Sequence, residues 1–171
     1  MTMNEFFQHF CGSAPGHVWA PGGELLPLCQ RCTGLYAGAV IAALAMVLLR
    51  PRIDRRFLWI HGAFLLLMIP FGFHLVPQGA ALRTVTGILF GTGVVAFLWP
   101  ARGSRGNTAY FAAILASCIA LPLVGRFGNH GAHSALVALS LAGLGSLALL
   151  IASRVVNCFR ALGDERELSL R

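Results

Sequence analysis

The sequence has no lysine and little charge of either sign: charged residues make up 11% of its 171 positions, and all thirteen positive charges are arginines. Soluble domains carry about 25% charged residues, so this composition argues against a soluble enzyme. A contiguous cationic face is missing too. The formal net charge of +7 is dispersed between apolar runs, which argues against a nucleic-acid interface and fits a membrane topology signal. Residues 1–27 have neither the basic start nor the apolar core of a secretory signal. The first apolar run is therefore expected to insert as a permanent helix.

What the sequence does have is apolar length. Hydrophobic residues account for 57% of the chain, and the mean hydropathy is +0.73. A bilayer core about 30 Å thick takes roughly 17–25 residues of helix. Five segments approach or meet that length: Gly34–Leu49, Phe57–Val76, Leu82–Trp99, Ala109–Val124 and Ser134–Val156. The expected fold is an all-α polytopic bundle of about five transmembrane helices. It would consist of a Cys/His-containing segment over residues 1–33, the bundle over 34–156 and a cytoplasmic tail over 157–171. The tail alternates charge with leucine from Ala161 onward, as a short surface helix does.

Arginines at the span ends set the orientation, because cytoplasmic loops retain positive charge. Arg50, Arg52, Arg55, Arg56, Arg102, Arg105, Arg154, Arg160, Arg166 and Arg171 fall on one side, against Arg31, Arg83 and Arg126 on the other. The N-terminus is predicted outside and the C-terminus inside. Tyr36, Trp59 and Trp99 lie near span ends, where amphipathic aromatics favour the headgroup region.

The first and third spans open alike, on Arg31-Cys-Thr-Gly-Leu-Tyr-Ala-Gly38 and Arg83-Thr-Val-Thr-Gly-Ile-Leu-Phe-Gly91. Both read Arg, then Thr-Gly-x-x-x-Gly. A parallel repeat of helix pairs follows, with Gly34/Gly38 and Gly87/Gly91 permitting close backbone approach. The same small-residue faces would serve a homo-oligomer. Arg31 and Arg83, one in each copy, are ordinary interfacial arginines on the simpler reading. On the other they converge on an anion such as a lipid headgroup.

Chemistry concentrates near the N-terminus. Cys29 and Cys32 form a C-x2-C pair, and Cys11 lies upstream of it. Such a turn converges two thiolates on one ion, and Cys11 with His9 or His17 would complete a four-ligand set for zinc or another thiophilic metal. The same spacing also serves thiol–disulfide exchange, with Arg31 between the thiols to favour a thiolate. An oxidising outer compartment would permit a structural disulfide, although three thiols leave one unpaired. His130-x2-His133 reads as loop histidines solvated at the membrane surface rather than as ligands. His74 follows Pro70 and Gly72, where a helix break would free backbone groups. Cys118 is expected to pack as a small apolar residue, and Cys158 to be a reduced juxtamembrane thiol. His61 lies towards the cytoplasmic end of the second span.

The run Leu26-Pro-Leu-Cys-Gln-Arg-Cys-Thr-Gly-Leu-Tyr-Ala-Gly38, with Cys11 before it and Leu82-Arg-Thr-Val-Thr-Gly-Ile-Leu-Phe-Gly91 after it, resembles the prokaryotic membrane family known as domain of unknown function 2085. The resemblance covers Cys11 to about Gly93 and implies a multi-pass protein of the cytoplasmic membrane. Two departures stand out. Gly12 replaces the histidine that usually follows the first cysteine, and the connection Phe71–Leu82 lacks the usual Asp-Gly stretch. If the family histidine is a ligand, His9 or His17 must stand in for it.

The leading expectation is thus an integral membrane protein with an outer-face site of Cys11, Cys29, Cys32 and His9 or His17, binding zinc or another thiophilic metal. The lipid bilayer is its partner and nucleic acid is not. Two other classes remain: a membrane thiol oxidoreductase using Cys29 and Cys32, and a small transporter or lipid-handling protein. The scarcity of charge inside the spans weighs against a coupled ion pathway.

Overall fold

Each apolar run becomes one helix, and the residues between runs supply the caps. The structure, a computed structural model, describes residues 11, 16–72, 75–99, 103 and 105–169, with side chains described as far as Arg160. After a single 3-10 turn at Pro21–Gly23 come α1 (Gln30–Leu49), α2 (Arg55–Gly72), α3 (Ala80–Leu98), α4 (Thr108–Phe127) and α5 (His130–Ser169). The all-helical bundle is as expected. Helices α1, α3 and α4, and α5 as far as Arg160, are long and apolar enough to cross a membrane by length and composition. The exception, α2, opens on Arg55 and Arg56 and carries His61 and Pro70 in its 18 residues. Leu44, Leu48, Trp59, Leu66, Leu115, Phe127 and Leu149 all remain exposed. Soluble monomers rarely leave so extended an apolar surface bare.

Local chemistry explains where the boundaries differ from the apolar runs. Helix α1 starts at Gln30 rather than Gly34 because Cys29 is its N-cap, its sulfur accepting the Cys32 N–H at 3.4 Å. It stops at Arg50, which sits in the left-handed region (φ 47°, ψ 56°), just before Pro51, whose ring cannot continue a helix. Asp54 opens α2 by accepting the Phe57 N–H at 2.8 Å, as N-cap carboxylates do. Helix α2 ends at Gly72 rather than Val76, and the Leu75 N–H closes back on the Pro70 carbonyl at 3.0 Å. Asn129 caps α5 through Ala132. That helix runs 40 residues without interruption, about 60 Å at 1.5 Å per residue, and includes the stretch expected as a separate tail helix.

The helices alternate in direction, so the bundle has two chemically different ends. At one end the linkers pair, Arg52 N–H to the Arg105 carbonyl at 2.9 Å and Arg105 N–H to that of Arg50 at 3.2 Å. Arg154 donates there to the carbonyls of Leu98 and Trp99. The other end holds Cys11, Cys29, Cys32, Arg31 and Arg83. Arginine is concentrated at the end away from the thiols.

The closest helix pair is α1 against α3, and the repeated glycines are the reason. A Cβ on Gly34 would collide with the Thr84 carbonyl, and one on Gly87 with the Arg31 carbonyl. Gly38 and Gly91 meet Ile88 and Leu35 in the same way. Each copy of the repeat therefore seats the backbone of the other. Of the neighbouring buried threonines, Thr92 returns its hydroxyl to the Ile88 carbonyl at 2.7 Å and Thr86 to that of Leu82 at 2.9 Å, while the Thr33 hydroxyl has no partner among the described residues. The small-residue faces singled out in the sequence are thus occupied within the chain.

His61 is fully buried among Phe57, Phe64, Tyr110 and Phe111. Its Nδ1 faces the Phe57 carbonyl at 2.7 Å and its Nε2 the Tyr110 hydroxyl at 3.1 Å. A carbonyl only accepts, so Nδ1 carries the proton and Nε2 takes the one from tyrosine. Both nitrogens are satisfied, which makes the pair a polar tie between α2 and α4. Cys118 packs with apolar neighbours, and Cys158 is an exposed free thiol.

Candidate metal centre

The residues ahead of α1 fold back on themselves before the helix begins. Val18 and Cys29 form an antiparallel bridge, flanked by Leu26 N–H to Trp19 carbonyl at 2.9 Å and Gln30 N–H to His17 carbonyl at 2.8 Å. The turn between is made by Gly22 and Gly23 at positive φ. Trp19 fastens this segment to the bundle. Its ring is 8% exposed, lies against Gly125 of α4, and donates Nε1–H to the Thr84 hydroxyl of α3 at 2.9 Å.

That fold brings Cys11 to the start of α1. Among the described residues, Cys11, Cys29 and Cys32 are the one set of three potential ligands whose donor atoms all lie within 4.8 Å of one another. Cys11 is 5% exposed, with Leu28, Tyr36 and Leu144 packed about it. Its sulfur accepts the Cys29 N–H at 3.3 Å, while that of Cys29 accepts the Cys32 N–H. N–H groups aimed at sulfur stabilise thiolates, as does the positive end of a helix. All five cysteines are free thiols.

The electrostatics are uneven across the set. The Cys29 thiol is held far below the ordinary thiol range, first by hydrogen bonds from the Cys11 and Cys32 thiols and then by backbone N–H groups of Cys32 and Arg31. Cys11 is pushed up, chiefly because it is the donor to Cys29 and also because it is buried. One negative charge is thus shared over sulfurs close enough to hold a cation. A thiolate cluster of this kind suits zinc and other soft or borderline ions.

The remaining sequence candidates fall in several places. His9 and His74 lie outside the described residues. His17 contributes its backbone carbonyl to the turn, and its ring is not one of the converging ligands. Arg31 and Arg83 are engaged separately. Arg31 donates through Nη2 to the Phe71 carbonyl at 2.7 Å and to Gln78 Oε1 at 2.9 Å, and Gln78 Nε2 reaches the same carbonyl at 2.6 Å. The end of α2 beyond Pro70 does free a carbonyl, and Arg31 and Gln78 together satisfy it. Arg83 reaches the buried Gln30 at 3.4 Å, and Gln30 in turn donates to the Val18 carbonyl.

Replacing Arg31 by alanine removes two hydrogen bonds from a charged donor, each worth about 1.5–3 kcal/mol. The expected result is a lower melting temperature with faster amide exchange in the last turn of α2, partly restored by lysine. Exchange confined to the thiol segment would contradict this assignment. Trp19, Gln30 and Gln78 escaped sequence reasoning. The one available hint was a tryptophan standing outside every apolar run.

The profile of the family described as "Predicted membrane protein (DUF2085)" matches residues 11–97. No curated protein and no solved structure matches the chain significantly.

Proposed function

Because the chain belongs to the DUF2085 family of predicted membrane proteins, and the matched residues 11–97 include all three clustered thiols, we propose that this integral membrane protein binds zinc or another thiophilic ion through Cys11, Cys29 and Cys32. The observation that carries the reading is the convergence of three sulfurs within 4.8 Å, brought together from positions 18 residues apart. A fourth ligand comes from His9 or His17, or from water. By the arginine asymmetry the thiol end faces outward from the prokaryotic cytoplasmic membrane. The ion pins the N-terminal segment over the bundle, a segment with too little apolar surface to hold itself in place.

Elemental analysis of detergent-purified protein, wild type beside a Cys29→Ala/Cys32→Ala double variant, tests this with free-thiol counting on the same samples. About one ion per chain, lost in the variant, is the expected result. A wild type without metal and with two thiols oxidised would favour the second reading, thiol exchange. The depressed Cys29 thiol is the observation behind that alternative.

Acidity offers a further check, and its sign follows from the same groups. Cys29 is already a thiolate at neutral pH and releases no proton on binding, whereas the Cys11 and Cys32 thiols that donate to it must each lose one. Affinity is therefore expected to fall as pH drops from 8 to 6, by about tenfold per pH unit for each proton displaced. A pH-independent affinity over that window would count against thiolate ligation.

A further inference from the structure

The arginine-rich end of the bundle, away from the thiols, has a groove in its wall. Helix α2 packs along α3 there, and Arg55, Leu58, Trp59 and Gly62 of α2 with Phe97 of α3 line an open cavity of about 340 Å³. The four α2 positions recur at intervals of three and four residues, so they share one face of the helix. The groove exists because position 62 has no side chain. A Cβ added at Gly62 would meet Phe97 Cζ at 3.9 Å and nothing nearer. Trp59 and Phe97 are 68% and 47% exposed, on a surface that a membrane bundle turns to lipid rather than to water. The walls of the groove are thus apolar, and hydrocarbon is what surrounds it.

One end of this apolar slot is charged. Arg55 opens α2, follows Arg50 and Arg52 closely in the chain, and is followed by Arg56. The single acidic residue between Glu24 and Asp164 is Asp54, and its Oδ1 accepts the Phe57 N–H at 2.8 Å. Among the described residues both salt bridges belong to Glu24 at the opposite end, so none of these four arginines is paired with a carboxylate. Basic pockets between membrane helices are where acidic lipid headgroups bind, and a guanidinium matches the oxygens of a phosphate. A cavity of this size is at the small end of ligand pockets. It holds a length of one acyl chain, with the headgroup left outside on the arginines.

We propose that the α2–α3 groove is a binding site for an anionic phospholipid, whose phosphate rests on Arg55 while one acyl chain runs past Leu58, Trp59 and Gly62 against Phe97. The site is independent of the thiols and of any metal they hold. Two features separate it from the diffuse attraction of a basic protein end for acidic lipid: the charge that matters is Arg55, and the space that matters is the one left by Gly62.

Quenching of tryptophan fluorescence by brominated acyl chains reads this groove directly, because Trp59 lines it. The full chain is placed in phosphatidylcholine vesicles containing a fixed minor fraction of brominated phosphatidylglycerol or of brominated phosphatidylcholine. The Trp59 signal is the difference from Trp59→Phe. Wild type is expected to favour phosphatidylglycerol by about fivefold. Arg55→Gln and Gly62→Leu should each bring that preference close to one. Arg56→Gln, which removes the same charge from a position that does not line the groove, should keep it. Should Gly62→Leu aggregate, Gly62→Ala replaces it, since the added Cβ makes only an ordinary contact. Equal quenching of wild type by the two lipids overturns the proposal. So does a preference that survives Arg55→Gln or filling of the groove, or one that Arg56→Gln reduces as much as Arg55→Gln does.

Discussion

Leucine at Gly87 is expected to destroy the folded bundle, and even alanine to weaken it severely. The added Cβ would fall on the Arg31 carbonyl, with the Leu35 backbone nitrogen of the same helix turn at 2.9 Å. Both are main-chain atoms of the facing helix, so no side chain can rotate away. Relief requires α1 and α3 to separate along the whole seam, because Gly34, Gly38 and Gly91 are locked in the same manner. Overpacking a rigid core ordinarily costs about 1–3 kcal/mol, and a clash with main-chain atoms that cannot rotate away puts Gly87→Ala at about 3 kcal/mol or above. Gly145 is the internal control, since a Cβ there meets nothing within 4 Å. Gly145→Leu should elute as a folded species in size-exclusion chromatography while Gly87→Leu aggregates. Equal behaviour of the two would show that the seam is not what holds the bundle.

Removal of a metal held by the three thiols, as proposed above, is the second large effect expected. Cys11 meets the bundle through the Cys29 N–H at 3.3 Å, hydrogen bonding among the thiols, and a small apolar cluster of Leu28, Tyr36 and Leu144. A bound ion adds three covalent-like links at once. At free concentrations 100 to 1,000 times the dissociation constant, binding stabilises by about 2.7–4.1 kcal/mol. Chelation is therefore expected to lower stability by about that amount and to raise cleavage at the exposed Gly22–Gly23 turn. Cys11→Ser should reproduce both effects without a chelator. A melting temperature unmoved by chelator would mean that Trp19 and the Val18–Cys29 bridge hold the segment by themselves.

The structure clarifies which kinds of information the sequence carries. Apolar runs reported helix number and order, because a run of sufficient length has one way of satisfying its backbone in an apolar medium. The runs were poor guides to where helices start. Cys29 caps α1 with a sulfur, and Asp54 opens α2 ahead of two arginines, neither of which enters an apolar count. The Arg-Thr-Gly-x-x-x-Gly repeat was legible as a packing motif, and its glycines do interlock. Its arginines were not legible as partners of Phe71, Gln78 and Gln30, since nothing local connects residues 40 to 53 positions apart.

The thiol cluster was readable because C-x2-C is a local turn and Cys11 was the one other thiol on that side. The pairing of Glu24 with the α5 histidines was not, because it exists only once α5 is folded beside the Gly-rich turn. His130 and His133 read as solvated loop residues in sequence. Folded, they begin a helix facing that carboxylate.

The most direct test of the account is X-ray absorption at the zinc edge of protein loaded with about one zinc per chain. Thiolate ligation predicts a shell of three sulfur scatterers at about 2.3 Å, with a single light atom at about 2.0–2.1 Å. A shell of nitrogen and oxygen alone would contradict it and would mean that the three converging sulfurs do not hold the metal.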